Sequence, residues 1–149
     1  MLILKKEVSI LVFDLNIGGT EKVMVNLANY LSDNNCNVNI LMVGRNNYLQ
    51  RELLPNVSVI AFNKNRIYSC LFDLIKYIRA QKIDCFISNV WPLTILTVFA
   101  GFFKRNFNKK KVVLVEHCHL EREFSAFSTS FKFFQKISIF LLYRFVSKV

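Results

Sequence analysis

The segment that most limits what this chain can become is residues 8–22, VSILVFDLNIGGTEK, where an apolar run passes through two glycines into a helix-like pattern. Residues 8–13 form a short, mostly apolar run without regular polar alternation, which predicts a strand buried on both faces in a parallel sheet. From Thr20, a suitable N-cap, Met24, Leu27, Ala28 and Leu31 fall on one helical stripe. A strand that turns directly into a helix brings the unpaired amides of the helix N-terminus to the sheet edge, where they attract anions such as the phosphate of a small molecule. Glycines there let the backbone approach such a ligand closely. Gly18-Gly19 matches neither G-x-G-x-x-G nor G-x-x-x-x-G-K-[ST], so the dinucleotide fingerprint and the P-loop are both absent. On spacing alone, a tight turn with no ligand explains the pair equally well.

The rest of the chain repeats the alternation of strand and helix. Asp33-Asn34-Asn35 stops the first helix in turn chemistry, and residues 38–43 follow as a strand that ends at Gly44-Arg45-Asn46-Asn47. Residues 48–54 read as a short helical turn, and residues 57–62 as a third strand close to a sheet edge. Leu71, Leu74, Ile75 and Ile78 give residues 67–81 a buried stripe, with Asp73, Lys76 and Arg79 turned outward. Residues 83–88 are a fourth strand, and Pro92 suits the first turn of the next helix. That helix, residues 94–103, is apolar almost all round, which predicts burial, and it is too short to span a membrane. A basic loop at 106–111 leads to a fifth strand at 112–115. This order predicts an α/β fold, a Rossmann-like doubly wound parallel sheet with helices on both faces. Ligands in such sheets sit beyond the carboxyl ends of the strands, where Gly18-Gly19, residues 89–91 and His117 converge.

A length of 149 residues suits a single domain spanning 1–149, and 53% apolar residues with two prolines and four glycines exclude a disordered or collagen-like chain. Cys36, Cys70, Cys85 and Cys118 stand singly, without a C-x-x-C pair or a secretory signal, which makes the reducing cytoplasm the expected compartment. Charge is uneven: residues 102–149 hold ten Lys/Arg against three Asp/Glu, and so carry +7 of the net +10. An anionic partner, a membrane surface or a nucleic acid, fits that asymmetry. Nucleic acid is the weaker choice, because the cations interleave with an aromatic face and no nucleic-acid motif is present.

Residues 8–14, the Gly18-Gly19-Thr20-Glu21-Lys22 turn and the helix at 25–31 resemble the start of a GT-B glycosyltransferase of the family 4 type, in which a G-G-[TA]-E-[RK] turn precedes an L-A-x-x-L helix. Residues 37–43, 83–88 and 112–117 resemble that family's later strands, the last of them ending at an active-site histidine. The resemblance implies the N-terminal, acceptor-side half of a two-domain enzyme that moves a sugar from a nucleotide donor to a glycan or lipid-linked glycan, as in cell-surface polysaccharide synthesis. It implies that Gly18, Gly19 and Thr20 lie near the donor phosphates and that His117 contacts the transferred sugar. Glu116, Asn89 and Trp91 become candidate substrate contacts on the cleft wall, although an indole serves as packing more often than as a stacking platform. No metal is expected: His117 and His119 share a strand face but lack a third ligand. No cofactor is expected either, the nucleotide sugar being a co-substrate held mainly by a second domain.

That second domain carries a Glu-x7-Glu pair in the family, and no two glutamates here stand eight positions apart. The expectation is a domain inactive by itself: a truncated product, a fragment of a larger chain, or one half of a split enzyme whose partner is a separate C-terminal half. Residues 124–149 add a basic, strongly apolar helix, with Lys132, Lys136, Arg144 and Lys148 within about 160° of the wheel. Two explanations compete for it: a packing helix, or an interfacial helix that holds a peripheral protein at the anionic inner face of the plasma membrane. The alternative to an enzyme is therefore a non-catalytic membrane-surface or partner-binding module on the same fold.

Overall fold

The computed structural model describes residues 5–103, 112–115, 137 and 140. Five strands, β1 (Lys6–Val12), β2 (Cys36–Met42), β3 (Val57–Ala61), β4 (Cys85–Asn89) and β5 (Val112–Val115), form one sheet in the order β3-β2-β1-β4-β5. Every pairing is parallel, with Ile10 opposite Ile40 on one side and Ile87 on the other. The α/β, Rossmann-like reading is therefore correct, and β3 is an edge strand as its alternating pattern predicted.

Helices α1 (Gly19–Asp33), α2 (Leu71–Ala80) and α3 (Leu93–Phe102) divide between the two faces. Val8, Ile10 and Val12 with Val38, Ile40 and Met42 pack under Met24, Val25 and Ala28 of α1. The alternate residues Leu11, Leu41, Phe86 and Leu114 pack under Leu74 and Ile78 of α2 and Leu93 and Leu96 of α3. The split follows from the handedness of crossovers: a connection running towards β2 must lie on the opposite face from one running towards β5. Burial also governs the side-chain chemistry beneath α2, where desolvation pushes the Cys70 thiol up to about 11 and raises the Tyr77 phenol, whose hydroxyl lies 3.0 Å from Ser9 Oγ.

Several local expectations need correction. The N-cap of α1 is Gly18 rather than Thr20, because the amide of Lys22 already bonds the Gly18 carbonyl at 3.0 Å. Residues 67–81 are not one helix: a 3-10 turn (Ile67–Cys70) precedes α2. Pro92 is the N-cap of α3 and stands outside its first turn. Helix α3 is not buried all round, since Phe99, Phe102 and the following Phe103 are 44%, 47% and 52% exposed. Among the described residues no helix is long and apolar enough to cross a membrane. The basic loop at 106–111 lies outside the described residues, as do all but Ile137 and Phe140 of the 124–149 segment.

Candidate functional site

Connections leave β1 towards β2 and leave β4 towards β5, so the chain reverses direction between these two adjacent strands. At such a switch point the two strand-to-helix turns part to opposite faces and leave a crevice between them. One wall is the β1–α1 turn and the other is the β4–α3 turn.

The first wall is firmly held. Beyond β1, Val43 donates to the Val12 carbonyl at 3.2 Å and Gly44 to the Phe13 carbonyl at 2.6 Å. Leu15 donates to Asn46 at 2.8 Å and Leu49 to Leu15 at 2.9 Å. Buried Asp14 ties this stitching together, accepting from the Asn16 amide at 3.1 Å and from Asn46 Nδ2 at 3.2 Å. Glycine at 44 relieves a close approach, since a Cβ there would stand 3.2 Å from the Phe13 carbonyl oxygen and the turn would have to yield slightly. Helix α1 is anchored in turn by the Lys22–Glu52 ion pair and by Asn29, which donates to the Glu52 carbonyl at 2.8 Å and accepts from the Leu54 amide at 2.9 Å.

Gly18 and Gly19 stand on this frame with no such internal requirement. Gly18 has extended backbone that any residue adopts, and a Cβ added to Gly19 would meet nothing within 4 Å. What a Cβ on Gly18 would meet is the Glu21 carboxylate, the far end of a flexible side chain folded back over the N-cap. The amides of Gly19, Thr20 and Glu21 precede the first intrahelical bond, and no side chain caps them. The result is an open, positively polarised helix end with one carboxylate resting beside it.

The second wall is tight and strained. Ser88 is fully buried, and Thr97 Oγ1 lies 2.9 Å from its hydroxyl and 3.1 Å from the Leu93 carbonyl, which locks β4 to α3. Asn89 is 5% exposed, and its Oδ1 is fully buried without a hydrogen-bond partner among the described residues. Ile87 belongs to the core under α1, so Asn89, two residues on, lies on the same sheet face as α1. Val90 follows at φ 60°, a left-handed conformation unusual for a β-branched residue. Its amide donates to the Val115 carbonyl at 2.9 Å, and its carbonyl accepts from Leu93 at 3.0 Å. The Trp91–Pro92 peptide is cis, and the Trp91 side chain is buried.

A family model described as Glycosyltransferase Family 4 matches residues 17–149, beginning at the residue before the two glycines. The chain belongs to glycosyltransferase family 4. No curated protein matches it. The parallel sheet is the N-terminal, Rossmann-like half of that family's GT-B architecture.

Within this family 4 domain the candidate residues divide cleanly. Gly18, Gly19 and Thr20 stand at the start of α1, and Asn89 stands at the end of the neighbouring strand on the same face. Trp91 is 7% exposed, which leaves little ring face for stacking and suits a packing role. Glu116 and His117 lie outside the described residues, as do Cys118 and His119; β5 ends at Val115, the register partner of Asn89. Among the described residues no group of three or more His, Cys, Asp or Glu can hold a metal ion. Two contributors escaped the sequence reading. Asp14 had a usable signal, since an Asp just after a strand commonly accepts from the backbone amide two residues on. The positive φ of Val90 had none, because nothing about valine announces it.

Proposed function

We propose that the crevice between the β1–α1 and β4–α3 turns is the acceptor-side wall of a sugar-transfer site, with the nucleotide-sugar donor held mainly by a second lobe that closes over this sheet edge. The observation that carries the reading is Gly19: no backbone angle and no internal neighbour calls for glycine there, yet it stands at the N-terminus of a 15-residue helix at the switch point. Space kept free of a Cβ at such a place is explained by a ligand that approaches the backbone.

The chemistry follows from what α1 offers. In sugar transfer an acceptor hydroxyl oxygen bonds to the anomeric carbon while the carbon–oxygen bond to the diphosphate breaks; negative charge gathers on the departing diphosphate, and the hydroxyl proton passes to it or to solvent. The amides of Gly19, Thr20 and Glu21 and the α1 dipole supply fixed positive potential where that charge develops, which lowers the barrier without reorganisation. Asn89 Oδ1 is an acceptor only, and so is suited to a hydroxyl of the sugar or glycan. His117 is assigned to the transferred sugar and Glu116 to the same wall by the family resemblance. A glycan or lipid-linked glycan acceptor suits an edge that offers hydrogen-bonding groups.

Transfer is measured with a labelled nucleotide sugar, for this chain supplemented with a nucleotide-sugar-binding lobe of the family. Gly19→Val places its Cβ where nothing stands within 4 Å, so it should cut transfer by about 100-fold, the scale of losing oriented electrostatic stabilisation, while changing the melting temperature little. Unchanged transfer by Gly19→Val would remove the turn from the site. Transfer by the 149-residue chain with no added lobe would overturn the two-lobe assignment.

A further inference from the structure

Two loops at neighbouring strand ends share a composition that the transfer reading leaves unexplained. Residues 44–47 after β2 read Gly-Arg-Asn-Asn, and residues 63–66 after β3 read Asn-Lys-Asn-Arg. Together they hold three cations and four carboxamides, with no carboxylate. Guanidinium and ammonium groups take an oxyanion, whereas a carboxamide both donates to and accepts from a hydroxyl. An acidic sugar satisfies both at once.

The fold brings the loops together. Pairing between β2 and β3 continues past the strands, with Phe62 donating to the Met42 carbonyl at 2.8 Å and Lys64 to the Val43 carbonyl at 2.7 Å. Asn63, between them, takes φ 57°, a left-handed conformation that asparagine accepts more readily than most residues. Arg45 reaches across the gap, its Nη2 lying 3.5 Å from the Asn63 carbonyl oxygen. The nearby carboxylates are already engaged: Asp73 pairs with Lys64 at 2.9 Å, and buried Asp14 accepts from Asn16 and Asn46. Arg45 and Arg66 are exposed, and neither forms an ion pair among the described residues. Asn63 and Asn65 are exposed beside them.

This cluster is continuous with the crevice. Gly44 donates to the Phe13 carbonyl and Leu15 to the Asn46 carbonyl, so the loop after β2 is stitched to the β1–α1 turn. Two strand spacings separate the end of β3 from the end of β1, about 10 Å, a span that an extended glycan lying along this edge covers.

We propose that the ends of β2 and β3 form a second acceptor subsite, where Arg45 and Arg66 hold the carboxylate or phosphate of an acidic sugar and Asn63 and Asn65 meet its hydroxyls. The acceptor is then an anionic glycan whose charged residue lies apart from the hydroxyl that is glycosylated. As a substrate assignment this rests on the transfer reading, and as a sugar-binding site it stands separately. Carboxylate and phosphate share the oxyanion geometry that a guanidinium fork recognises, and the test tells them apart.

The 149-residue chain is titrated with glucuronate, glucose 6-phosphate and glucose, and the amide shifts of Asn63, Lys64, Gly19 and Thr20 are followed. At least one charged sugar should bind about fivefold more tightly than glucose, the scale of one exposed ion pair, with shifts centred on Asn63 and Lys64. Whichever charged sugar binds more tightly identifies the oxyanion. Arg45→Gln and Arg66→Gln should each lower that preference about twofold, and the double change should abolish it. Lys82→Gln, just before β4 at the opposite edge of the sheet, should leave it unchanged. Added salt should weaken the charged sugars and spare glucose. All these cations are exposed, so melting temperatures should stay close to the parent's and separate lost binding from lost folding.

Binding of both charged sugars no tighter than glucose would overturn the proposal, as would a preference that survives the double change. So would shifts confined to Gly19 and Thr20, which would give the anion to the start of α1. The titration uses no donor sugar and no second lobe. Its failure leaves the Gly19 reading standing, and normal transfer by Gly19→Val leaves the subsite standing.

Discussion

The two turns at the switch point solve the same geometric problem by opposite means. The β1–α1 turn is relaxed: Gly18 is extended, Gly19 is helical with free space beside it, and the loop before them is held by ordinary hydrogen bonds through Asp14, Asn46 and Gly44. The β4–α3 turn is tight: Val90 sits at positive φ, Asn89 keeps a buried carbonyl oxygen without a described partner, and Ser88 and Thr97 clamp the strand to its helix. One wall therefore presents backbone donors and positive potential, and the other a buried acceptor held by strain. The sugar-transfer reading proposed above calls for that pair of chemistries, phosphate met by one wall and hydroxyl groups by the other.

The comparison breaks most visibly at Asn89. If its oxygen waits for a ligand hydroxyl, replacing it with leucine, of similar volume, should cost no stability and raise it by up to about 1 kcal/mol, because an unsatisfied buried polar group is removed. The same change should lower transfer about tenfold, the worth of one hydrogen bond. Chemical denaturation and a transfer assay on the same protein decide it. A Leu variant that is destabilised and transfers normally would make Asn89 a structural residue.

A smaller effect is expected at the other wall. The Glu21 carboxylate folds over Gly18, where it competes with any anion drawn to the start of α1. Glu21→Gln should tighten the binding of inorganic pyrophosphate by about fivefold, roughly 1 kcal/mol for one charge at a helix N-terminus, and the gain should shrink with salt. Gly18→Ala makes a sharper version of the test, because its methyl displaces the same carboxylate and should reproduce part of the gain. Amide chemical shifts of Gly19 and Thr20 report both. If neither variant binds pyrophosphate more tightly than the parent, Glu21 is an ordinary helix-start acid and no competitor.

Much of the frame is legible in the sequence because burial on both faces leaves continuous apolar runs. Residues 112–115 read as a strand from such a run, and β2 and β4 end within two residues of their expected bounds. The same logic misjudged α3, where an apolar composition predicted burial but Phe99 and Phe102 face outward; hydrophobicity says that a side chain prefers cover, and only packing says whether cover is present. At the site, Gly18 and Gly19 were legible as a turn. That Gly19 has no internal need to be glycine is a property of the space around it, which no residue pattern encodes. Asn89 was legible as a residue at a strand end, whereas its buried oxygen depends on β5 and α1 arriving from distant parts of the chain.

The last and smallest effect concerns Val90, and it separates strain from function most directly. A β-branched residue at φ 60° costs on the order of 1–3 kcal/mol relative to a residue that accepts this conformation, and glycine accepts it freely. Val90→Gly should therefore recover about 1 kcal/mol of stability after the greater flexibility of glycine in the unfolded chain is subtracted. The backbone bonds from Val90 to Val115 and Leu93 survive the change, so the strand pairing should persist. What glycine loses is stiffness, and a looser turn holds Asn89 less firmly against its ligand. The expected signature is a more stable protein whose KM for the acceptor rises about twofold to threefold with kcat nearly unchanged. A Gly variant that gains stability with no change in KM would show that the strain at Val90 serves only to pack Trp91 beneath the turn. It would leave the relaxed wall at Gly19 as the part of the crevice that carries the site.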